Sequence, residues 1–202
     1  MKFSRIELRD LFIAWILISI AFAILFSGTT GLFSSINTFI LYLILSLLTV
    51  GISFLLHELM HKFLAQKYGL EAEFRAFYPA LFLAIILSFV GFIIAAPGAV
   101  IINGRTTKAR NGKISLAGPL TNAFLAFIFL IFLLVFGTTG IFGIFLSLGL
   151  SINSLIALFN LIPFSIFDGK KIYDWNKTIY FIVLILTAIL FISSFFFNSP
   201  LL

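Results

Sequence analysis

Six long apolar runs, separated by short polar segments, dominate the pattern of the chain. They cover residues 11–26, 36–56, 79–102, 114–136, 141–162 and 179–197. A helix needs about 20 apolar residues to cross the hydrocarbon core of a bilayer, so these runs predict transmembrane helices. The 202 residues have room for roughly five to seven such helices and for no sizeable soluble domain.

The composition narrows the class of protein further. Hydrophobic residues make up 62% of the chain and charged residues 10%, and the mean hydropathy is +1.23. A soluble domain has about 45–50% apolar and 25% charged residues, so soluble and disordered chains are excluded. The sequence has no cysteine, which excludes disulfides and thiolate metal sites. We predict an all-α polytopic membrane protein with five to six transmembrane helices, forming a single membrane-embedded domain over residues 1–202.

The first apolar run has two interpretations. Ala21-Phe22-Ala23 has the form of a signal-peptide cleavage site. The triplet lies inside the run, however, and Ile24-Leu25-Phe26 follows it. We therefore favour a retained helix.

The net charge of +6 reflects basic residues in four clusters, at 2–9, 62–75, 105–113 and 170–177. The loops at 28–35 and 137–140 and the tail after 197 carry no charge. Basic loops of membrane proteins face the cytoplasm, and this accounts for the charge without a nucleic-acid partner. We predict a multi-pass protein of the cell membrane, with the N-terminus and the C-terminal end of the second helix in the cytoplasm.

The run at 79–102 has basic clusters on both sides, which predicts that it enters and leaves the membrane on the same side. Its 24 residues are too few for two full spans, and Pro97-Gly98 interrupts it. We predict a helix to about Val90 and a re-entrant or β-like extended return over 91–102. The alternative is one ordinary span followed by a basic loop outside.

The two histidines of the chain lie in His57-Glu58-Leu59-Met60-His61, at the end of the second run. Residues four apart share one face of a helix, so both imidazoles can bind one Zn²⁺ while Glu58 acts as a base toward water. Ionisable groups are costly in membrane segments and usually serve a site. We predict one zinc ion per chain. The alternative is a polar cluster at the interfacial end of a helix.

A catalytic zinc needs a third protein ligand and keeps one position for water. The sequence has no third histidine, and beyond Glu73 its only acidic residues are Asp168 and Asp174. Asp168 is the better candidate because it follows Pro163, which ends a helix, whereas Asp174 lies among lysines. An aspartate before Gly169 also suits a simple turn or a helix N-cap. A downstream carboxylate ligand is therefore Asp168 or Asp174.

Three motifs in this order resemble the site-2 proteases, the intramembrane zinc metalloproteases, over residues 36–173. They are His57-Glu58-Leu59-Met60-His61, Leu116-Ala117-Gly118-Pro119-Leu120-Thr121-Asn122, and Phe159-Asn160-Leu161-Ile162-Pro163 with Asp168-Gly169. The resemblance implies that His57, His61 and Asp168 hold zinc and that Glu58 activates water. It also implies that Asn160 contacts the scissile peptide or its oxyanion.

The same resemblance implies that Gly118 and Pro119 allow close helix packing and that residues 91–102 form membrane-embedded β-structure. The chain resembles a minimal member without PDZ or CBS domains, and Lys170 stands where the motif has a second glycine.

We expect an intramembrane zinc metalloprotease that hydrolyses a peptide bond in or near a transmembrane segment of a membrane-anchored substrate. Its partners are then a transmembrane protein substrate and the lipid bilayer, and its oligomeric state stays open. The substrate helix has to unwind, and the extended segment at 91–102 is expected to receive it as an added strand. The alternatives are a metal-transporting or a catalytically silent membrane protein. Membrane HExxH enzymes that process prenylated proteins need a downstream glutamate ligand, which this chain lacks.

Overall fold

Helices account for 78% of the residues that the structure describes. The computed structural model describes residues 1–93, 97–164 and 166–197, with side chains for all of these except 29–34. The elements in chain order are α1 (Arg5–Ser34), α2 (Ile36–Ser46), a π-helical turn (Leu47–Gly51), α3 (Ile52–Lys67), β1 (Glu71–Ala76), α4 (Tyr78–Ser88), β2 (Gly98–Asn103), α5 (Lys108–Phe136), α6 (Gly140–Asn160), α7 (Asp168–Trp175), α8 (Lys177–Ser194) and a 3₁₀ turn (Phe195–Phe197).

Within the described residues, five helices are long and apolar enough to cross a membrane. They are Arg5–Gly28, Ile36–Lys67, Lys108–Phe136, Gly140–Asn160 and Lys177–Phe197. Each coincides with one of the apolar runs, so the prediction of an all-α polytopic membrane protein is confirmed. The first helix is interrupted at Gly28, whose φ of 66° departs from helical geometry.

The remaining run, at 79–102, has no long helix among its described residues. Its helix α4 has 11 residues and is about 16 Å long, roughly half the thickness of the hydrocarbon core. The extended return predicted for this run corresponds to β2, while residues 94–96 of it lie outside the described residues. The re-entrant path of this run through the membrane stays a prediction.

The sequence analysis did not predict strand β1, which pairs with β2 in a two-stranded sheet. The Phe77 N–H donates to the Pro97 carbonyl at 3.0 Å where β1 ends and β2 begins, so the pair is antiparallel. The sequence does contain the pattern of a strand here. Glu71, Glu73 and Arg75 alternate with apolar residues, as in a strand with one buried face.

The chain folds into two compact units, and the first comprises residues 1–55 and 73–101. In this unit α1 packs against α2 and α4. The π-helical turn is held by α1, because the Trp15 indole N–H donates to the Leu47 carbonyl at 3.0 Å. Gly51 lies so close to this indole that a Cβ would overlap it.

Two buried carboxylates at the start of α1 bind the edge of β1 that faces away from β2. Glu7 accepts from the Phe74 N–H at 2.9 Å and Asp10 from the Ala76 N–H at 3.3 Å. Asp10 also accepts from the Tyr78 hydroxyl at 2.8 Å. Side chains therefore cover this edge of β1, which is one way in which proteins protect exposed strands.

The second unit comprises residues 56–72 and 102–202. In this unit α5 packs along α6, with α7 packed on α5 and α8 packed on α6. Gly149 allows α6 to approach Phe129 of α5, and Gly112 allows α5 to approach Trp175 of α7. The prediction of one domain over 1–202 stays a prediction, and the site predicted from the sequence lies within this second unit.

Candidate metal centre

Helix α3 carries His57, Glu58 and His61, and all three side chains are buried. The helical spacing of four residues places the two imidazoles on one face. Their ring centroids are 4.7 Å apart and the ring planes are nearly perpendicular. The local geometry predicted from the motif is therefore present.

The Asp168 carboxylate lies against both imidazoles. Its Oδ2 is 3.5 Å from the Nε2 of His57 and 3.0 Å from the Nε2 of His61. Two ligand atoms bound about 2.0–2.1 Å from a tetrahedral zinc lie roughly 3.3 Å apart, so these separations fit a shared metal ion. Two nitrogens and one oxygen also match the donor set of catalytic zinc sites, which leaves a position for water.

Asp168 reaches the histidines because the chain turns sharply between α6 and α7. Pro163 lies in this turn, and Asp168 is the first residue of α7 while Phe167 is its N-cap. Gly169 fits against the Leu161 and Ile162 carbonyls, which a Cβ at this position would overlap. The glycine is thus required by the close approach of two backbone segments.

The charge state of Asp168 suits a metal ligand. Burial acts to raise the pKa of this carboxyl, but the positive charge of a protonated His61 and hydrogen bonds from both imidazoles more than offset burial and hold the pKa well below its ordinary value. A cation bound at the same place would displace the Nε2 protons and supply the positive charge instead. The residue is therefore a carboxylate at neutral pH, and this is the form that binds cations.

The Nδ1 atoms of both histidines have hydrogen-bond partners of their own. His57 Nδ1 lies 2.5 Å from Asn122 Oδ1, and His61 Nδ1 donates to the Ile114 carbonyl at 2.8 Å. A proton held on Nδ1 leaves the Nε2 lone pair free to bind a metal. Both Nε2 atoms are the ones that face Asp168.

Gly118 of α5 leaves space for this cluster. A Cβ at this position would overlap the Nε2 atoms of both His57 and His61. The absence of a side chain therefore keeps clear the atoms that would bind the metal. The resemblance had indicated close helix packing at Gly118, and the close neighbours in the structure are the two imidazoles.

We expect Gly118→Ala to weaken zinc binding by at least about tenfold, comparable to other disturbances next to a ligand. The added methyl group pushes against both Nε2 atoms, so the cluster has to open. Zinc affinity of the purified variant by chelator competition measures the effect. Gly112→Ala is the matched control on the same helix, because its Cβ overlaps Trp175 and not a histidine. Wild-type zinc affinity in Gly118→Ala would contradict this view of the site.

The other candidate carboxylate, Asp174, lies apart from the histidines. It is exposed on α7 and accepts from the Lys170 ammonium, with both oxygens at 2.6 Å. This hydrogen bond lowers the pKa of Asp174. Of the two aspartates that the sequence left open, the structure brings Asp168 together with the histidines.

Asn160 is the last residue of α6 and is half-buried. Its Nδ2 donates to the Ile156 carbonyl of its own helix at 3.0 Å. The sequence analysis assigned no role to two other amides, Asn122 and Asn153, which are fully buried in α5 and α6. Their position within apolar runs could have indicated buried hydrogen bonds between helices, since polar groups in a membrane segment need a partner.

These observations define a polytopic membrane protein in which two buried histidines and one largely buried aspartate form a group that could hold a metal ion. The chain is 45% identical over 187 residues to a protein of Methanocaldococcus jannaschii named "Putative zinc metalloprotease MJ0611", covering 90% of this chain and 91% of the relative. It is 29% identical over 154 residues to "Putative zinc metalloprotease YwhC" of Bacillus subtilis, covering 66% and 68%. The chain belongs to this zinc metalloprotease family.

Two further comparisons gave no match. No protein-family model matches the chain. No solved structure matches it either.

Proposed function

We propose that the protein is an intramembrane zinc metalloprotease of the site-2 protease type, which hydrolyses a peptide bond in or near a transmembrane segment of a membrane-anchored substrate. The observation that carries this proposal is the convergence of His57, His61 and Asp168 next to Glu58 in a chain with five apolar helices. Membership of the zinc metalloprotease family supports the choice of metal.

In this proposal, His57, His61 and Asp168 hold one zinc ion per chain. A bound zinc supplies Lewis-acid chemistry, which acidifies water and polarises a carbonyl group. The three side chains supply two neutral nitrogens and one negative oxygen. They are largely shielded from bulk water, and this strengthens their electrostatic interactions.

Glu58 acts as the general base and acid in this proposal. It follows His57 directly in α3, so it lies at the same end of the helix as the histidines, and the residue is 9% exposed. The carboxylate accepts a proton from the attacking water and passes it to the leaving amine. These two transfers are needed for the C–N bond to break without forming a free amide anion.

Asn160 is proposed to stabilise the negative charge that develops on the scissile carbonyl oxygen. An amide N–H donor suits this role. The Nδ2 that would donate is bonded to Ile156 in this structure. A rotation of the side chain that exchanges the Ile156 carbonyl for the substrate oxygen is therefore part of the proposal.

The substrate has to present an extended backbone, because a transmembrane helix buries each peptide group in its own hydrogen bonds. We propose that the unwound segment adds to β2 as a strand. One edge of β1 pairs with β2 and the other is bound by Glu7 and Asp10. An added strand therefore has to use β2.

We expect a proline or a charged residue at Val100 to slow cleavage and to leave zinc content unchanged. Ala99 and Val100 both lie in β2, the strand that is proposed to receive the substrate. A proline cannot donate a backbone hydrogen bond and a charged side chain disfavours an apolar strand, so Ala99→Pro and Val100→Pro should both disturb β2. Wild-type cleavage rates in both variants would refute strand addition. Ala95 and Ala96, where the same effect is expected, lie outside the described residues.

The predicted orientation places the N-terminus and the end of α3 in the cytoplasm. Cleavage would then occur near the inner leaflet and release a product to the cytoplasm. The basic residues of the segments at 62–75 and 105–113 support this orientation through the positive-inside rule.

The proposed activity is tested with the full chain in lipid nanodiscs and a single-span peptide that contains glycine and proline in its apolar segment. We expect cleavage products by mass spectrometry, a loss of at least about a hundredfold after chelation, and recovery on adding zinc, because the metal provides several kcal/mol of transition-state stabilisation. Zinc binding without cleavage of a panel of such peptides would favour a catalytically silent or metal-transporting protein. Cleavage that is unchanged by chelation would refute the metalloprotease proposal.

A further inference from the structure

Three hydrogen bonds connect His57 to the backbone of α6. His57 Nδ1 lies 2.5 Å from Asn122 Oδ1, Asn122 Nδ2 donates to Asn153 Oδ1 at 3.0 Å, and Asn153 Nδ2 donates to the Gly149 carbonyl at 2.8 Å. Both asparagines are fully buried. The series runs from α3 through α5 to α6 within the second unit.

The last member of this series sets the direction of every bond before it. A backbone carbonyl can only accept, so Asn153 has to turn its NH₂ group toward Gly149 and its oxygen toward Asn122. Asn122 then has to donate to Asn153, and its own oxygen faces His57. An oxygen of this kind accepts only, so the imidazole has to donate from Nδ1.

We propose that Asn153 is a positioning residue that acts through Asn122 to hold His57 in the Nδ1–H tautomer, and thereby sets the zinc affinity of the site. This inference rests on the zinc site of the proposed function. In the Nδ1–H tautomer, Nε2 carries a lone pair and faces Asp168 at 3.5 Å. Asn153 does not contact the metal site itself. Through Asn122 it therefore determines which nitrogen of His57 can bind the metal.

The two histidines differ in how this orientation is achieved. His61 donates directly to the Ile114 carbonyl, and no side-chain substitution removes this acceptor. The tautomer of His57 depends instead on two amide groups that can rotate by half a turn. His61 is therefore an internal reference for any effect at His57.

Two variants at position 153 separate hydrogen bonding from packing. Asn153→Leu keeps the number of side-chain heavy atoms and the branching at Cγ but offers no acceptor, so the Asn122 amide can turn its NH₂ toward His57 and move the imidazole proton to Nε2. Asn153→Asp, protonated because a charge there would be buried, donates its O–H to Gly149 and accepts from Asn122 with its second oxygen. It therefore keeps the original direction of the series.

We expect chelator competition on the full chain to give a zinc affinity about 10–100-fold weaker for Asn153→Leu, the range seen when the outer partner of a histidine ligand is removed. Asn153→Asp should remain within about threefold of wild type, as should the control Ser154→Ala. Ser154 is also buried in α6, and its hydroxyl donates to the Leu150 and Ser151 carbonyls of its own helix.

Nuclear magnetic resonance of the zinc-loaded full chain with ¹⁵N-labelled histidine provides a second measurement. The chain has two histidines, so two Nδ1–H signals are expected. In Asn153→Leu, the His57 signal should move upfield and exchange faster with water because its acceptor is lost. The His61 signal should stay where it is.

Wild-type affinity in Asn153→Leu, with an unchanged His57 signal, would overturn the inference and leave the zinc site intact. Equal weakening in Asn153→Leu and Asn153→Asp would also overturn it, because packing would then explain the effect. A wild-type chain that binds no zinc would instead refute the proposed function on which the inference rests.

Discussion

Glu58→Gln is expected to lower the rate of peptide cleavage by about 10²–10⁴-fold, the range typical of a lost general acid–base group. The substitution preserves the side-chain shape of a residue that is 9% exposed, but an amide cannot accept a proton from water at neutral pH. The metal ligands are untouched, so zinc content should stay at about one ion per chain. Cleavage of the single-span peptide and zinc content by mass spectrometry are the two measurements.

The matched control for this variant is Glu71→Gln, which makes the same change at an exposed position at the start of β1. It should cleave at the wild-type rate. Full activity in Glu58→Gln would remove Glu58 from the mechanism and leave the proposed metal site unaffected. Loss of zinc together with activity would show that Glu58 has a structural role.

Asp168→Ala is expected to lower zinc content from about one ion per chain to less than about a tenth and to abolish cleavage. The carboxylate supplies one of three protein ligands in the proposed site, so the loss of affinity should exceed the ~10–100-fold that follows removal of an outer hydrogen-bond partner. Asp168→Asn, which preserves shape but not charge, should also bind zinc poorly. Zinc content is measured on detergent-purified protein in metal-replete buffer.

Asp174→Ala is the control on the same helix, since Asp174 is exposed and bonded to Lys170. It should retain zinc and activity. Equal zinc content in wild type and Asp168→Ala would require a different third ligand. Absence of zinc from wild type under the same conditions would refute the metal site altogether.

Much of the fold was predictable because membrane helices follow from local composition. The apolar runs at 11–26, 36–56, 114–136, 141–162 and 179–197 each overlap one of the five long helices. In a bilayer, every backbone polar group has to be satisfied within its own segment or by its neighbours, so a long apolar run has few alternatives to a helix. The short α4 was also predictable, since its 24-residue run has basic clusters on both sides and is too short for two full spans.

The strand β1 and the π-helical turn at Leu47–Gly51 were not predicted. A six-residue strand forms only when a second strand is present, and here that partner lies more than twenty residues further along the chain. The π-helical turn depends on Trp15, which binds a carbonyl 32 residues away. Both features are consequences of tertiary contacts that leave little trace in local composition.

The two imidazoles and Glu58 come together through helical periodicity alone, so their spacing in the sequence was enough to predict a metal site. The third ligand was different, because the local sequence favoured Asp168 but left Asp174 as an alternative. The turn before α7 brings Asp168 to both Nε2 atoms. The amides that orient His57 lie 65 and 96 residues from it in the chain. Hydrogen bonds between separate helices depend on how those helices pack, and packing is a property of the whole fold.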